Sequence, residues 1–334
     1  MSLRIIRAGL LTTVQDRGRY GLQHLGVVVC GPMDPVAFEL ANALVGNRDG
    51  EAALELTLLG PEIEFGCDAL VALCGARFDA TLAGRALPLD RPVFVEKKSI
   101  LKTGRALAGS RAYLAVAGGI ATAPVLGSRS TYLPAGGGGL EGRLLRAGDG
   151  LPLFQNSPDF AFKRYKKFSS KKELAGGIRS VSWSAPALTL PEREPIVIHA
   201  MEGRHHAHFD AAARRAFFEA TWKVTPDSNR MGFRLAGPVL ARAEADEILS
   251  EPACLGTVQV PANGLPIALM ADRQTTGGYP KIAEIAAADV PRLAQLAPGG
   301  MVQFARCTLE QAGELRRVLR QRLDAALRAL VWMV

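Results

Sequence analysis

The stretch "GTVQVPANGLPIALMADRQTTGGYPKIAEI", residues 256–285, decides how the fold is read. Two apolar runs flank Asn263-Gly264, and an Asn-Gly step between such runs is a strong hairpin signal because both residues accept positive φ. The second run, "LPIALM", opens into Asp272, Arg273, Gln274, Thr275, Thr276, Gly277, Gly278, Tyr279, Pro280 and Lys281. An Ala-rich run follows. A loop at the end of a packed hairpin has a rigid base, which a site requires. The loop is either a polar surface turn or the floor of a site that grips a small polar substrate.

The same grammar extends outward in both directions. "ALELTLLGPEIEF", "ALVALCGARFDATLAGRAL", "RPVFVEK" and "RAYLAVAGGI" are short apolar runs bounded by Gly, Pro or Asp, and they read as β-strands. Helical period is confined to a few places. Asp34 to Gly46 has an N-cap in Asp34, Pro35 at the first helical position and a glycine stop. Asp210 to Trp222 and "AADVPRLAQL" are two more. A last helix runs from Leu309 to about Val331. Leu315, Leu319, Leu323, Leu327 and Leu330 form its apolar stripe, and Arg316, Arg317, Arg320 and Arg328 lie off it.

The expected class is mainly β with a few helices. An N-terminal β-rich lobe is expected over 1–155, a basic linker over 156–189, a C-terminal lobe over 190–306 and the amphipathic helix over 307–334. The linker rests on "FKRYKKFSSKK" (Phe162 to Lys172), read as a solvated connector rather than a nucleic-acid site.

Composition excludes several classes. The 334 residues are 48% apolar, ample for a large core, and carry a net charge of +8. Five cysteines (Cys30, Cys67, Cys74, Cys254 and Cys307) form no C-x-x-C, so neither a disulfide framework nor a zinc ribbon is expected. The N-terminus lacks a signal-peptide h-region, and no apolar run reaches ~18 residues, so a cytoplasmic chain is expected. There is no P-loop, no nucleophile elbow and no biotin-carrying segment. "GGGG" (Gly136 to Gly139) reads as a flexible turn. His205, His206 and His208 sit at a spacing poor for one metal, so no metal site is expected.

Three other stretches are rich in donors. "LLTTVQDRGRYGLQHLGV" sets Gln15, Asp16, Arg19 and His24 among glycines: a ligand-reading hairpin or an ordinary polar turn. "LGSRSTY" places Arg129 between Ser128 and Ser130, suited to an oxyanion or to local backbone bonds. "DSNRMGFRLAGP" carries Arg230.

Taken together and in order, these segments resemble the family of allophanate hydrolase subunit 2, KipA and the 5-oxoprolinase C-subunit, which is carboxyltransferase-like. The matching pieces are "GLLTTVQDRGRYGLQHLGV", "GPMDPVAFELANALVGN", "ALELTLLGPEIEF", "YLAVAGGI", "LGSRSTY", "DSNRMGFRLAGP", "GTVQVPANGLPIALMADRQTTGGYPKIA" and "LAQLAPGGMVQF", spanning about residues 5–306. The sequence departs from the family at "GVVVCGPMD" and at "MEGRHHAHF".

The resemblance implies two β-barrel lobes of cyclophilin-like type and a heteromeric complex with a B-like (KipI or allophanate hydrolase subunit 1) partner and an A-like one. It implies ATP-dependent hydrolysis of 5-oxoproline (pyroglutamate) to glutamate, with ATP shared among subunits. One alternative is the carboxyltransferase half of a biotin-dependent urea carboxylase system, with biotin on another chain. Another is a non-catalytic regulator of a KipI-like partner. Under the main reading Asp272, Arg273 and Lys281 are the catalytic candidates. Gln15, Asp16, Arg19, His24, Arg129, Ser130, Arg230, Gln259, Gln274, Thr275, Gly277, Gly278 and Tyr279 are the substrate-binding candidates.

Overall fold

The structure is a computed structural model that describes residues 2–154, 178–243 and 248–332. The basic run at 162–172 and most of the expected linker lie outside the described residues. Those described fall into two units. One holds 2–19, 30–154, 178–190 and 322–332; the other holds 20–29, 191–243 and 248–321.

In the first unit the strands form two six-stranded sheets rather than a closed barrel. One carries Ser2–Arg7 and Glu62–Phe65; the other carries Leu11–Gln15, Ala53–Thr57, Ala69–Phe78 and Ala106–Val116. Leu3, Ile5, Ile63 and Phe65 from the first share one core with Leu54, Leu56, Val71, Leu73, Leu114 and Val116 from the second. The helix Pro35–Leu44 packs against Ala69–Phe78 and Ala106–Val116. Phe38 meets the Tyr113 ring edge-on at 5.9 Å. Those two strands are therefore covered on both faces. That is why "ALVALCGA" is apolar at successive positions instead of alternating. Asp34 caps the helix as its sequence predicts, its carboxylate accepting from the Ala37 N–H at 3.0 Å.

The second unit contains a closed seven-stranded barrel. Ile196–Glu202 and Met301–Arg306 close it in parallel, with Ile196 opposite Val302. The helix Ala211–Glu219, capped by Asp210, adds Phe217, which stacks on Phe304 at 4.5 Å. The buried Trp222 indole donates to the Phe217 carbonyl at 3.0 Å. The Asn-Gly hairpin forms as predicted: Thr257–Gln259 pairs antiparallel with Ile267–Leu269, and Gly264 takes φ +72°.

The C-terminal helix spans Leu309–Trp332. Its entry is a capping box: the Thr308 N–H donates to Gln311 Oε1 at 2.8 Å, and the Gln311 N–H to Thr308 Oγ1 at 3.2 Å. Leu323 and Leu330 of the predicted stripe are buried, and Leu315, Leu319 and Leu327 are half-buried. No helix among the described residues is long and apolar enough to cross a membrane.

Candidate functional site

In the first unit the end of strand Leu11–Gln15 delivers Asp16 beside Ser128–Thr131. The Thr131 N–H donates to the Val14 carbonyl at 2.9 Å and fixes that register. The Asp16 carboxylate is a hub. It accepts from Ser130 Oγ at 2.7 Å, from the Gly18 N–H at 2.9 Å, and from Ser128 Oγ and the Arg129 N–H. Arg19 donates from Nε to the Val125 carbonyl at 3.1 Å and from Nη2 to the Ser130 carbonyl. Arg129 donates from Nε to the Thr122 carbonyl at 2.9 Å and lies over the Phe154 ring.

The glycine run is not a slack turn. Gly138 and Gly139 take positive φ, and a Cβ on either would overlap the Ser130 carbonyl oxygen or Thr131 Oγ1. Their bareness lets the backbone wrap this cluster. Two buried atoms there have no partner among the described residues: Gln15 Oε1, an acceptor, and Arg19 Nη1, a donor. An unmatched buried polar atom costs about 1–3 kcal/mol, so such a pair is suited to a ligand carrying both a donor and an acceptor.

In the second unit the loop after the hairpin is anchored by Arg230 and Asp272. Both are buried, and Arg230 Nε and Nη2 each reach one Asp272 oxygen at 2.9 Å. The Asp272 N–H also donates to the Arg230 carbonyl at 2.8 Å. With both oxygens accepting from Arg230, Asp272 ties the loop to the strand entry at Arg230. Farther on, Thr276–Gly277 pairs with Glu251–Pro252 as a two-stranded ribbon, and the Thr275 carbonyl accepts from the Ala253 N–H.

Beneath this ribbon lies the barrel strand Lys281–Ile285. Thr257 opposes Glu284 and Val258 opposes Ala283, but Gln259 opposes Lys281, so Ile282 is skipped. This bulge turns Lys281 onto the face that carries Thr257, Gln259 and Glu284. Lys281 is buried and makes an ion pair with Glu251 at 2.7 Å, and its Nζ donates to the Pro252 carbonyl. Lys281's hydrogen bond to the Glu251 carboxylate holds that carboxyl below its ordinary range. Arg204 adds a contact to Glu251 at 3.2 Å. The Lys281 N–H donates to His205 Nδ1 at 3.2 Å, and burial holds the His205 imidazole below its ordinary value.

Gln259 Oε1 accepts from Gln274 Nε2 at 3.2 Å, whereas buried Gln259 Nε2 has no partner among the described residues. Gly277 leaves the space beside it, since a Cβ there would stand 2.7 Å from that nitrogen. Arg273 Nε is likewise buried without a partner, and burial lowers the guanidinium's pKa.

The structure thus joins Gln15, Asp16, Arg19, Arg129 and Ser130 in one cluster. It joins Gln259, Gln274, Gly277 and Lys281 in another, with Arg230 and Asp272 bracing the same loop. Tyr279 is half exposed, and His24 is exposed in the short turn Gln23–Leu25. Gly278 lies against the Ile248 carbonyl. Sequence reasoning missed Glu251, Thr257 and Glu284, and left His205 without a role. Glu251 sits far from the loop in sequence and reaches it only through the ribbon.

The family model for the carboxyltransferase domain, subdomain A and B, matches residues 25–306. The chain is 42% identical over 315 residues to the 5-oxoprolinase C-subunit of Escherichia coli (strain K12), covering 94% of each. It is 37% identical to that of Haemophilus influenzae, covering 91% of each. Among solved structures, the K. lactis urea amidolyase matches with a TM-score of 0.85 and 31% identity over 97% of this chain and 20% of that one. The chain belongs to the carboxyltransferase domain family, subdomain A and B.

Proposed function

We propose that this chain is the C-subunit of a 5-oxoprolinase, acting with A-like and B-like subunits in the ATP-dependent hydrolysis of 5-oxoproline to glutamate. The observation that carries the reading is end-to-end similarity: the match covers 94% of both this chain and its E. coli relative. The K. lactis enzyme is matched over only 20% of its length.

The chemistry suits the donor set. A lactam carbonyl is weakly electrophilic, and activating it places negative charge on oxygen, which oriented donors and cations stabilise. Gln259 Nε2 and Arg273 Nε are donors with no partner among the described residues. Arg273 and Lys281 are the cations suited to a phosphoryl group. Gln15 Oε1 and Arg19 Nη1 suit an amide or carboxylate. ATP is read as shared with the partner subunits, and this chain supplies the cationic side of that contact.

The test is reconstitution with the A-like and B-like subunits. One co-eluting complex that releases glutamate from 5-oxoproline only with ATP supports the reading. In that complex, Lys281→Ala and Arg273→Ala should abolish release without unfolding the chain. A strict requirement for a biotin carrier would favour the second reading, a carboxyltransferase half, to which the 0.85 TM-score with urea amidolyase lends support.

A further inference from the structure

We propose that Glu284 is the acid–base residue of the barrel site, carrying a proton between the attacking water and the departing ring nitrogen. The inference rests on the oxoprolinase reading and adds to it a residue that neither the motifs nor the comparisons single out.

The placement comes from the bulge at Ile282. In an uninterrupted strand, positions 281 and 284 face opposite sides. Because Ile282 is skipped, Lys281 and Glu284 share the face lined by Gln259 and Thr257. On that face the unpartnered Gln259 Nε2, 1% exposed, marks where a substrate acceptor is missing. Glu284 lies on that same face, two positions along the paired strand from Gln259, so a substrate accepting from Gln259 Nε2 lies on the face that carries the carboxyl group.

Thr257 orients the Glu284 carboxyl. Thr257 Oγ1 accepts from the Cys254 N–H at 3.1 Å. Its hydroxyl donates to Glu284 Oε2 at 2.7 Å. With the Thr257 hydroxyl donating to Oε2, Oε1 is the oxygen left to carry the exchanging proton. The two carboxyl groups of the site are also pushed apart. Burial raises Glu284, whereas Lys281 holds Glu251 as a carboxylate. Such divergence separates an acid from a fixed counter-ion. The charged groups facing Glu284 are Lys281 and Glu251. His205 and Arg204 contact Glu251.

The step balances. ATP gives its terminal phosphoryl group to the lactam oxygen and departs as ADP; water then adds its oxygen to the ring carbon and gives one proton to Glu284. The C–N bond breaks, its electron pair goes to nitrogen, and the proton on Glu284 Oε1 is delivered there. The added hydroxyl gives its remaining proton to the freed Glu284 carboxylate, and on to the amine, as the acyl C=O forms. An acyl phosphate and an amine result, and a second water releases phosphate.

The experiment uses the reconstituted complex with Glu284→Gln and Glu284→Asp, following ATP-dependent glutamate release across pH. General acid–base catalysis is worth about 10²–10⁴-fold, so Glu284→Gln should lower kcat by that factor with KM little changed. It should also erase one limb of the pH profile, and Glu284→Asp should restore part of both. An active wild type with Glu284→Gln unchanged in rate and profile overturns this inference alone. A wild-type complex with no glutamate release overturns the oxoprolinase reading and this step together. If Glu284→Gln fails to assemble, Thr257→Ala serves: loss of its hydrogen bond should move the same limb, and an unmoved limb overturns the proposal.

Discussion

Replacing Asp272 by alanine separates a brace from a base. The carboxylate takes two 2.9 Å hydrogen bonds from Arg230, and the two side chains are 2% and 5% exposed. Removing one partner of such a pair strands a buried charge, a loss of about 3–5 kcal/mol. For a unit of this size each kcal/mol shifts the melting temperature by about 2–4 °C, so Asp272→Ala should lower it by about 6–20 °C. Replacing both partners, Arg230→Met with Asp272→Leu, should recover most of that loss, because no charge is left unpaired. Differential scanning calorimetry and urea unfolding read the shift, and glutamate release from the complex reads the function. A melting temperature within about 2 °C of wild type for Asp272→Ala refutes the brace. So does Asp272→Asn that keeps wild-type stability but has no turnover, since that pattern belongs to a base.

Gly277→Ala should displace the Gln259 amide, whose Nε2 lies 2.7 Å from the added Cβ, at a cost of about 1–3 kcal/mol and with a raised KM for 5-oxoproline; unchanged kinetics would move the substrate away from Gln259. Asp16→Asn presents an NH₂ group to donors that now meet a carboxylate, and each orphaned donor costs about 1–3 kcal/mol; an unchanged denaturation midpoint would show that Asp16 is no hub. His205 is depressed by burial below its ordinary 6.5, so the unfolded chain binds the extra proton and stability falls as pH drops through 6.5 and below. His205→Gln should flatten that slope in melting curves collected between neutral and mildly acidic pH, and an identical slope would remove His205 from the account.

Local chemistry made much of the fold legible. Asp34 and Asp210 cap their helices, Asn263-Gly264 turns its hairpin, and the leucine stripe of the last helix follows its burial. These are short-range effects, set by backbone preference and by residues within a turn or two of one another. The donor-rich character of 272–281 is equally plain. The glycine run at 136–139 reads as slack because glycine signals freedom in isolation. Here it meets a close approach to Ser130 and Thr131 that local sequence does not contain.

The sequence by itself determined the inventory: mainly β structure, the hairpin base, and which loops hold Gln, Arg and Lys. Tertiary structure alone decided which of these residues meet. Asp272 and Arg230, 42 positions apart, meet through both carboxylate oxygens, so the catalytic candidate Asp272 sits in a buried ion pair. Glu251 reaches Lys281 through a two-stranded ribbon, and Glu284 joins them through a single skipped residue in strand pairing. A strand's faces alternate with period two, so one bulge reverses which side chains share a face. That reversal depends on the partner strand, and no reading of residues 281–285 alone contains it.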